Sequence, residues 1–149
     1  MEKEFDRVRL STAQNVNKKI DARIIKNLKK FSGQPKEEIT KRIIKLEKEW
    51  SIERWLELNA STLAFIGIIL GVFVHMYWLF LPAIILPFLA LHAVNGWCPP
   101  LPVMRFVHVR TRREIDWEKF SLKFMRGDFE ELSATESEEN IFQAMKKNS

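Results

Sequence analysis

From Asn59 to Met104 the chain has no Asp, Glu, Lys or Arg, and apolar residues follow one another through it with few interruptions. Pro82 and the Tyr77-Trp78 pair divide this run into segments at about residues 58–74 and 78–94. Each is close to the ~17 to 25 residues a membrane-spanning helix needs at ~1.5 Å rise per residue. Before it, hydrophobicity is periodic. Val16, Ile20, Ile24, Leu28 and Phe31 recur at helical spacing among lysines, which predicts an amphipathic helix. Ser32-Gly33-Gln34-Pro35 stops that helix, and Pro35 suits the first position of another whose opening turn holds Glu37 and Glu38. Ile39, Ile43, Leu46 and Trp50 form its apolar stripe. Ser51-Ile52-Glu53 marks either a break before the first span or a passage within one continuous helix.

Beyond the uncharged run, Cys98-Pro99-Pro100-Leu101-Pro102 cannot continue a regular helix, and the backbone is expected to turn. Thr111-Arg112-Arg113-Glu114 reads as a capping box, so a helix should begin there. Gly127 suits its C-terminal cap. Trp117, Phe120 and Phe124 fall at i, i+3 and i+7 with Leu122 and Met125 beside them, more aromatic surface than a solvated helix should expose. That stripe is a candidate partner-binding face, or else it packs on Ile39, Ile43 and Leu46. Thr135 to Glu138 could cap a last weak helix carrying Ile141, Phe142 and Met145.

The pattern predicts an all-α membrane protein: a two-span transmembrane helical hairpin with cytoplasmic amphipathic helices before and after it. Its segments are a basic N-terminal helical region at residues 1–52, the hairpin at 53–104 and a C-terminal helical segment with an acidic tail at 105–149. Within the first span Ala60, Ala64, Gly67 and Gly71 line one helical face with small side chains and include a GxxxG, a surface for close helix packing. It serves either the hairpin's own second helix or a homodimer. Pro87 should kink the second span.

Averages conceal this organisation, since a mean hydropathy of -0.17 and 29% charged residues describe a soluble chain. Residues 1–58 hold 15 Lys/Arg against 10 Asp/Glu, and residues 105–149 hold 9 of each, so the net charge of +5 lies before the first span. Basic residues flank both outer ends of the hairpin, from Lys41 to Arg54 and from Arg105 to Arg113, while the connection around His75, Met76 and Tyr77 has none. The positive-inside rule then puts both termini in the cytoplasm. The acidic, non-apolar start of the chain does not resemble a signal peptide. The basic N-terminal region fits an anionic lipid surface, at about 1 kcal/mol per Lys or Arg, better than nucleic acid, which is not expected as a partner.

The densest group of reactive residue types is His92-Ala93-Val94-Asn95-Gly96-Trp97-Cys98-Pro99-Pro100. Cys98 and His92 are the candidates for any catalytic role, because ionisable groups within membrane helices are default functional hypotheses and a thiolate near Arg105 could be reactive. The structural alternative is a hydrogen-bonded neutral His92, a tight turn at Gly96 and a Cys98 that packs as a small hydrophobe. No disulfide can form within a chain of one cysteine. No metal site is expected, since His92 and Cys98 supply two ligands and His75 belongs to the other end of the span. No Walker loop or dinucleotide fingerprint is present, and no cofactor is expected.

The stretch from Glu53-Arg54-Trp55-Leu56 through the hairpin to Gly96-Trp97-Cys98-Pro99 resembles the bacterial inner-membrane domain called DUF2892, or YgaP-like transmembrane domain. HAVNGWCPPLPVMRF and VRTRREIDWEKFSLKFMRGDF resemble a subgroup with a soluble C-terminal extension, so the likeness covers roughly residues 50–129. In such proteins Gly is expected where this chain has His108, and the turn before Val109 should differ accordingly. Some relatives carry the hairpin fused to a rhodanese domain, which implies a link to sulfur metabolism and a sulfur-handling partner. This chain contains no rhodanese active loop, so that activity does not carry over. The expected function is a non-enzymatic module that dimerises or binds a partner; a membrane thiol or persulfide protein using Cys98, and permeation of a small solute by an oligomer, are the alternatives.

Overall fold

A computed structural model describes residues 6–129; the weak helix expected around Ile141, Phe142 and Met145 lies outside them. The described residues are helical and contain no strand. In order they form α1 (Arg7–Leu10), α2 (Gln14–Phe31), α3 (Lys36–Glu47), α4 (Ile52–Phe73), a 3-10 turn (Met76–Leu79), α5 (Phe80–Asn95), α6 (Leu101–Phe106) and α7 (Arg112–Arg126). Two helical stretches, one ending at Phe73 and the other Met76–Asn95, are long and apolar enough to cross a membrane.

The chain divides into two compact units that are not consecutive in sequence. Among the described residues, one contains residues 6–23 together with Glu49–Ile115; the other contains Ile24–Lys48 and residues 116–129. Both α2 and α7 are shared between them.

The first unit is built around the α4/α5 hairpin. The two readings of Ser51 resolve in favour of a break: α3 ends at Glu47, and the Ser51 hydroxyl caps α4 by accepting from the Arg54 amide. At the tip, His75 Nδ1 accepts from the Tyr77 amide, and residues 76–79 wind as a 3-10 turn, so α5 starts slightly later than the apolar pattern implied. Ala64 and Gly67 are buried on the face of α4 that meets α5. A Cβ on Gly67 would lie 2.6 Å from Pro82 Cδ, and one on Gly71 would lie 2.5 Å from Leu79 Cδ2. Both glycines therefore face their own chain's second helix and its approach. Pro87 is accommodated inside α5.

A helix ends with four carbonyls that lack an intrahelical partner, and at the base of α5 each finds one. Gly96 N donates to His92 O, Arg7 Nη1 donates to Ala93 O and Val94 O at 2.9 and 3.1 Å, and Ser11 Oγ donates to Asn95 O. Gly96 takes the left-handed conformation, φ 71°, and a Cβ there would strike the Arg7 backbone at 2.4 to 2.7 Å. The proline-rich segment does turn, but only over residues 97–100. Contrary to the expectation from its prolines, Leu101–Phe106 is helical, because Pro102 occupies the first turn, where no intrahelical amide bond is required. Val8, Ile52, Leu56, Cys98 and Leu101 form the apolar core of this base.

His108 adopts φ 61°, the one non-glycine residue with positive φ among the described residues. The turn before Val109 thus takes a left-handed conformation at a residue that is not glycine.

In the second unit Ile24, Ile39, Ile43, Leu46 and Leu122 are buried where α2, α3 and α7 meet. The inward face of α7 is Glu118 and Leu122, each fully buried. Glu118 Oε1 accepts from Arg42 Nε and Nη2 at 2.9 and 2.6 Å and from Asn27 Nδ2. The aromatic stripe is not the packing face: Trp117, Phe120 and Phe124 are 40%, 46% and 73% exposed. Trp50, read as part of the α3 stripe, lies beyond that helix and packs against Trp55, the ring centroids 5.0 Å apart and the planes tilted by 50°.

Two substitutions test this packing. Gly67→Ala must displace the rigid Pro82 ring and is expected to destabilise by about 1 to 3 kcal/mol, whereas Gly71→Ala must swing the whole Leu79 side chain, met at Cδ2 and Cγ, and should cost less because that side chain can rotate. Thermal unfolding in detergent compares them. His108→Gly relieves a left-handed strain of ~1 to 2 kcal/mol less a backbone-entropy loss of ~0.5 to 1 kcal/mol, so the same assay should show a modest rise in Tm.

Candidate functional site

Glu114 stands in the first turn of α7 and is 0% exposed. The capping box is formed: Thr111 Oγ1 accepts from the Glu114 amide at 3.2 Å, and the Glu114 carboxylate accepts from the Thr111 amide at 2.9 Å. The same carboxylate accepts two bonds from the Arg105 fork and one from Arg9, all at 2.8 Å. Its four lone-pair positions are thereby filled. Arg9 makes a second, bidentate pair with Asp21 at 2.8 and 2.9 Å. Arg105 Nη2 donates to Asn17 Oδ1, and Asn17 Nδ2 returns a bond to Arg9 O, closing a ring. Two cations and two anions make this cluster neutral. Around it, Asp6 caps α1 and accepts from Thr111 Oγ1, and Arg110 pairs with Glu49 through two bonds.

Burial pushes the Glu114 carboxyl upward, but the Arg105 hydrogen bonds, the Thr111 amide and Arg9 outweigh it and hold the group below its ordinary value. Sequence reading missed this cluster, although one signal was present: Glu114, Glu118 and Leu122 share one face of α7 at i, i+4 and i+8.

The candidate pair His92 and Cys98 do meet, as two walls of a cavity of about 460 Å³ at the base of the hairpin. Ala60 also lines it, from α4. Cys98 is 3% exposed and belongs to the apolar core. Burial pushes its thiol above the ordinary value, with a partial offset from the Leu101 amide. Arg105, considered as the cation that might activate it, is committed to Glu114 instead. Among the described residues no group of three His, Cys, Asp or Glu side chains is placed to hold a metal ion. The site is an apolar recess with a few polar walls, beside a buried ion cluster.

Together these features define an all-helical protein with a hairpin of two membrane-length helices. No family model, curated protein or solved structure matches the chain.

Glu114→Gln should destabilise the protein by about 3 to 5 kcal/mol, since it leaves two buried guanidinium groups undercompensated. Because the folded pKa of Glu114 is depressed, the stability it supplies is complete above the unfolded value of ~4.3 and is lost as pH falls through the lower folded value. The gap in Tm between wild type and Glu114→Gln should therefore be widest near neutral pH and narrow on acidification below ~4.3.

Proposed function

We propose that the chain is a two-span inner-membrane protein of the YgaP-like kind, both termini cytoplasmic, acting as a non-enzymatic module that presents its helices to a protein partner. The observation that carries this reading is the exposure of the hairpin's apolar side chains. Phe65, Val72, Phe73, Val74, Tyr77 and Phe80 are among the most exposed large apolar side chains of the described residues, Phe73 at 78%. In water such a surface far exceeds what a soluble protein leaves open; in lipid it is the ordinary outer face of a span. The exposed apolar surface continues onto α6, where Phe106 is 77% exposed. Arg54, Arg105, Arg110, Arg112 and Arg113 all belong to the base, and residues 74–79 at the tip include no Lys or Arg, which supports a cytoplasmic base.

The partner surface is the aromatic face of α7, outward while the opposite face is filled by Glu118 and Leu122. Dimerisation through Gly67 and Gly71 has little support, since both glycines already meet Leu79, Leu81 or Pro82. A second copy would meet α7 instead. A burial-inactivated Cys98 likewise weighs against the thiol or persulfide reading. The link to a sulfur-handling partner rests on the family resemblance alone.

Reporter fusions at both ends should be active only in the cytoplasm; a periplasmic signal from either end would overturn the topology. Phe120→Asp with Phe124→Asp should leave the unfolding free energy within about 0.5 kcal/mol of wild type while abolishing the detergent-stable dimer or the co-purified partner. A stable variant that keeps every association would remove α7 from the reading.

A further inference from the structure

The cavity at the base of the hairpin is graded along its length. Leu63 of α4 and Ile85 and Phe88 of α5 line its deep end, and Asn59 and His92, about one turn nearer the base, line the other. The α5 wall from Ile85 to His92 is ~10 Å of helix at ~1.5 Å per residue. Asn59 Nδ2 donates to Trp55 O at 2.7 Å, and its amide oxygen has no partner among the described residues. The His92 imidazole likewise makes no hydrogen bond there, and one of its nitrogens is wholly buried. Cys98, Pro99 and Pro100, with Val103 and Met104 of α6, also line the polar end. No Lys, Arg, Asp or Glu lines the cavity.

We propose that this cavity binds one aliphatic chain ending in a small uncharged polar head, the chemistry of a long-chain alcohol or a monoacylglycerol. The apolar walls suit the chain, and its volume of about 460 Å³ lies within the usual range for ligand sites. The amide oxygen of Asn59 and the imidazole of His92 give a hydroxyl both acceptor and donor chemistry. A phosphodiester or an ionised carboxylate would lose its hydration without meeting a cation, which is costly. The two prolines and α6 also occupy the end where a bulky head would have to sit. This inference shares with the preceding reading only the placement of the hairpin in a bilayer; it is independent of any partner at α7.

The test uses the full chain in phospholipid nanodiscs with a diazirine-bearing long-chain alcohol. Labelling of residues 56–63 and 85–92 should saturate and be displaced by hexadecanol, with hexadecyl phosphate at least about tenfold weaker as a competitor. Ala60→Phe, which fills the cavity, should cut labelling about fivefold or more, whereas Val72→Phe, on the exposed outer face, should not. His92→Ala should weaken displacement by hexadecanol about fivefold without weakening that by its methyl ether to the same degree. If Ala60→Phe fails to fold, the competition series on the wild-type protein decides. Labelling that does not saturate, or equal displacement by the phosphate, would mean bulk lipid contact and overturn the proposal. Labelling that rises on dilution of the protein would assign the cavity to a second copy that the probe must displace, also overturning it. Reporter fusions report the membrane placement separately, so failure here is distinguishable from failure there.

Discussion

Removing a carboxylate from water costs several kcal/mol even after the protein relaxes around it, and Glu114 has no exposed surface at all. It is tolerated because every acceptor position is used, and each donor comes from a different place in the chain: Arg9 on α1, Arg105 on α6 and the backbone at the start of α7. The N-terminal turn of α7 adds the favourable end of a helix dipole. The arrangement is all or nothing. A loosened α1 would leave Arg9 and Asp21 to solvent but Glu114 short of one donor, and a shifted α6 would remove two donors together. The cluster therefore fixes the register of segments that are distant in sequence, a role that its net stabilisation need not match in size.

The hairpin depends on that register through its ends. Arg7 lies two residues from Arg9, and it is Arg7 that satisfies the carbonyls of Ala93 and Val94. Arg110 lies between Arg105 and Glu114; its carbonyl accepts from the Ile52 amide, and its guanidinium holds Glu49, just before α4. The Arg112 amide donates to the Glu53 carboxylate in the first turn of α4. Both base ends of the hairpin are thus capped by residues outside it. Its interior needs less: small residues on α4 and a proline on α5 allow close approach, and no polar group is required to hold them together.

What the sequence disclosed and what it concealed differ by the range of the interaction. Helices α2, α3 and α7 were legible because periodicity, Pro35, Gly127 and the Thr111/Glu114 box act within a few residues. The turn at Gly96 was legible for the same reason, though its steric cause, the Arg7 backbone, was not. Helix α6 was missed by treating prolines as breakers without asking whether they could fall in a first turn. The inward face of α7 stayed open between two readings because aromatic residues outweigh Glu118 on any transfer scale, whereas Arg42 and Asn27 offset the cost of burying it. For Cys98 and His92, the sequence grouped residues that the fold does bring to one cavity, but it gave no sign that Cys98 is buried or that Arg105 pairs with Glu114.

Helix α6 joins the two parts of the base. It is six residues long, less than two turns, so Arg105 on its buried side and Val103 and Met104 on the cavity cannot move independently. The salt bridge that holds Arg105 also holds that wall of the recess. Within that nearly apolar lining one nitrogen of the His92 imidazole is buried and makes no hydrogen bond to the described residues. An unsatisfied buried polar group costs about 1 to 3 kcal/mol, a cost a protein carries when packing forbids relief or when the group has a partner to wait for. The ion cluster accounts for the first condition, because it fixes the wall from which relief would have to come.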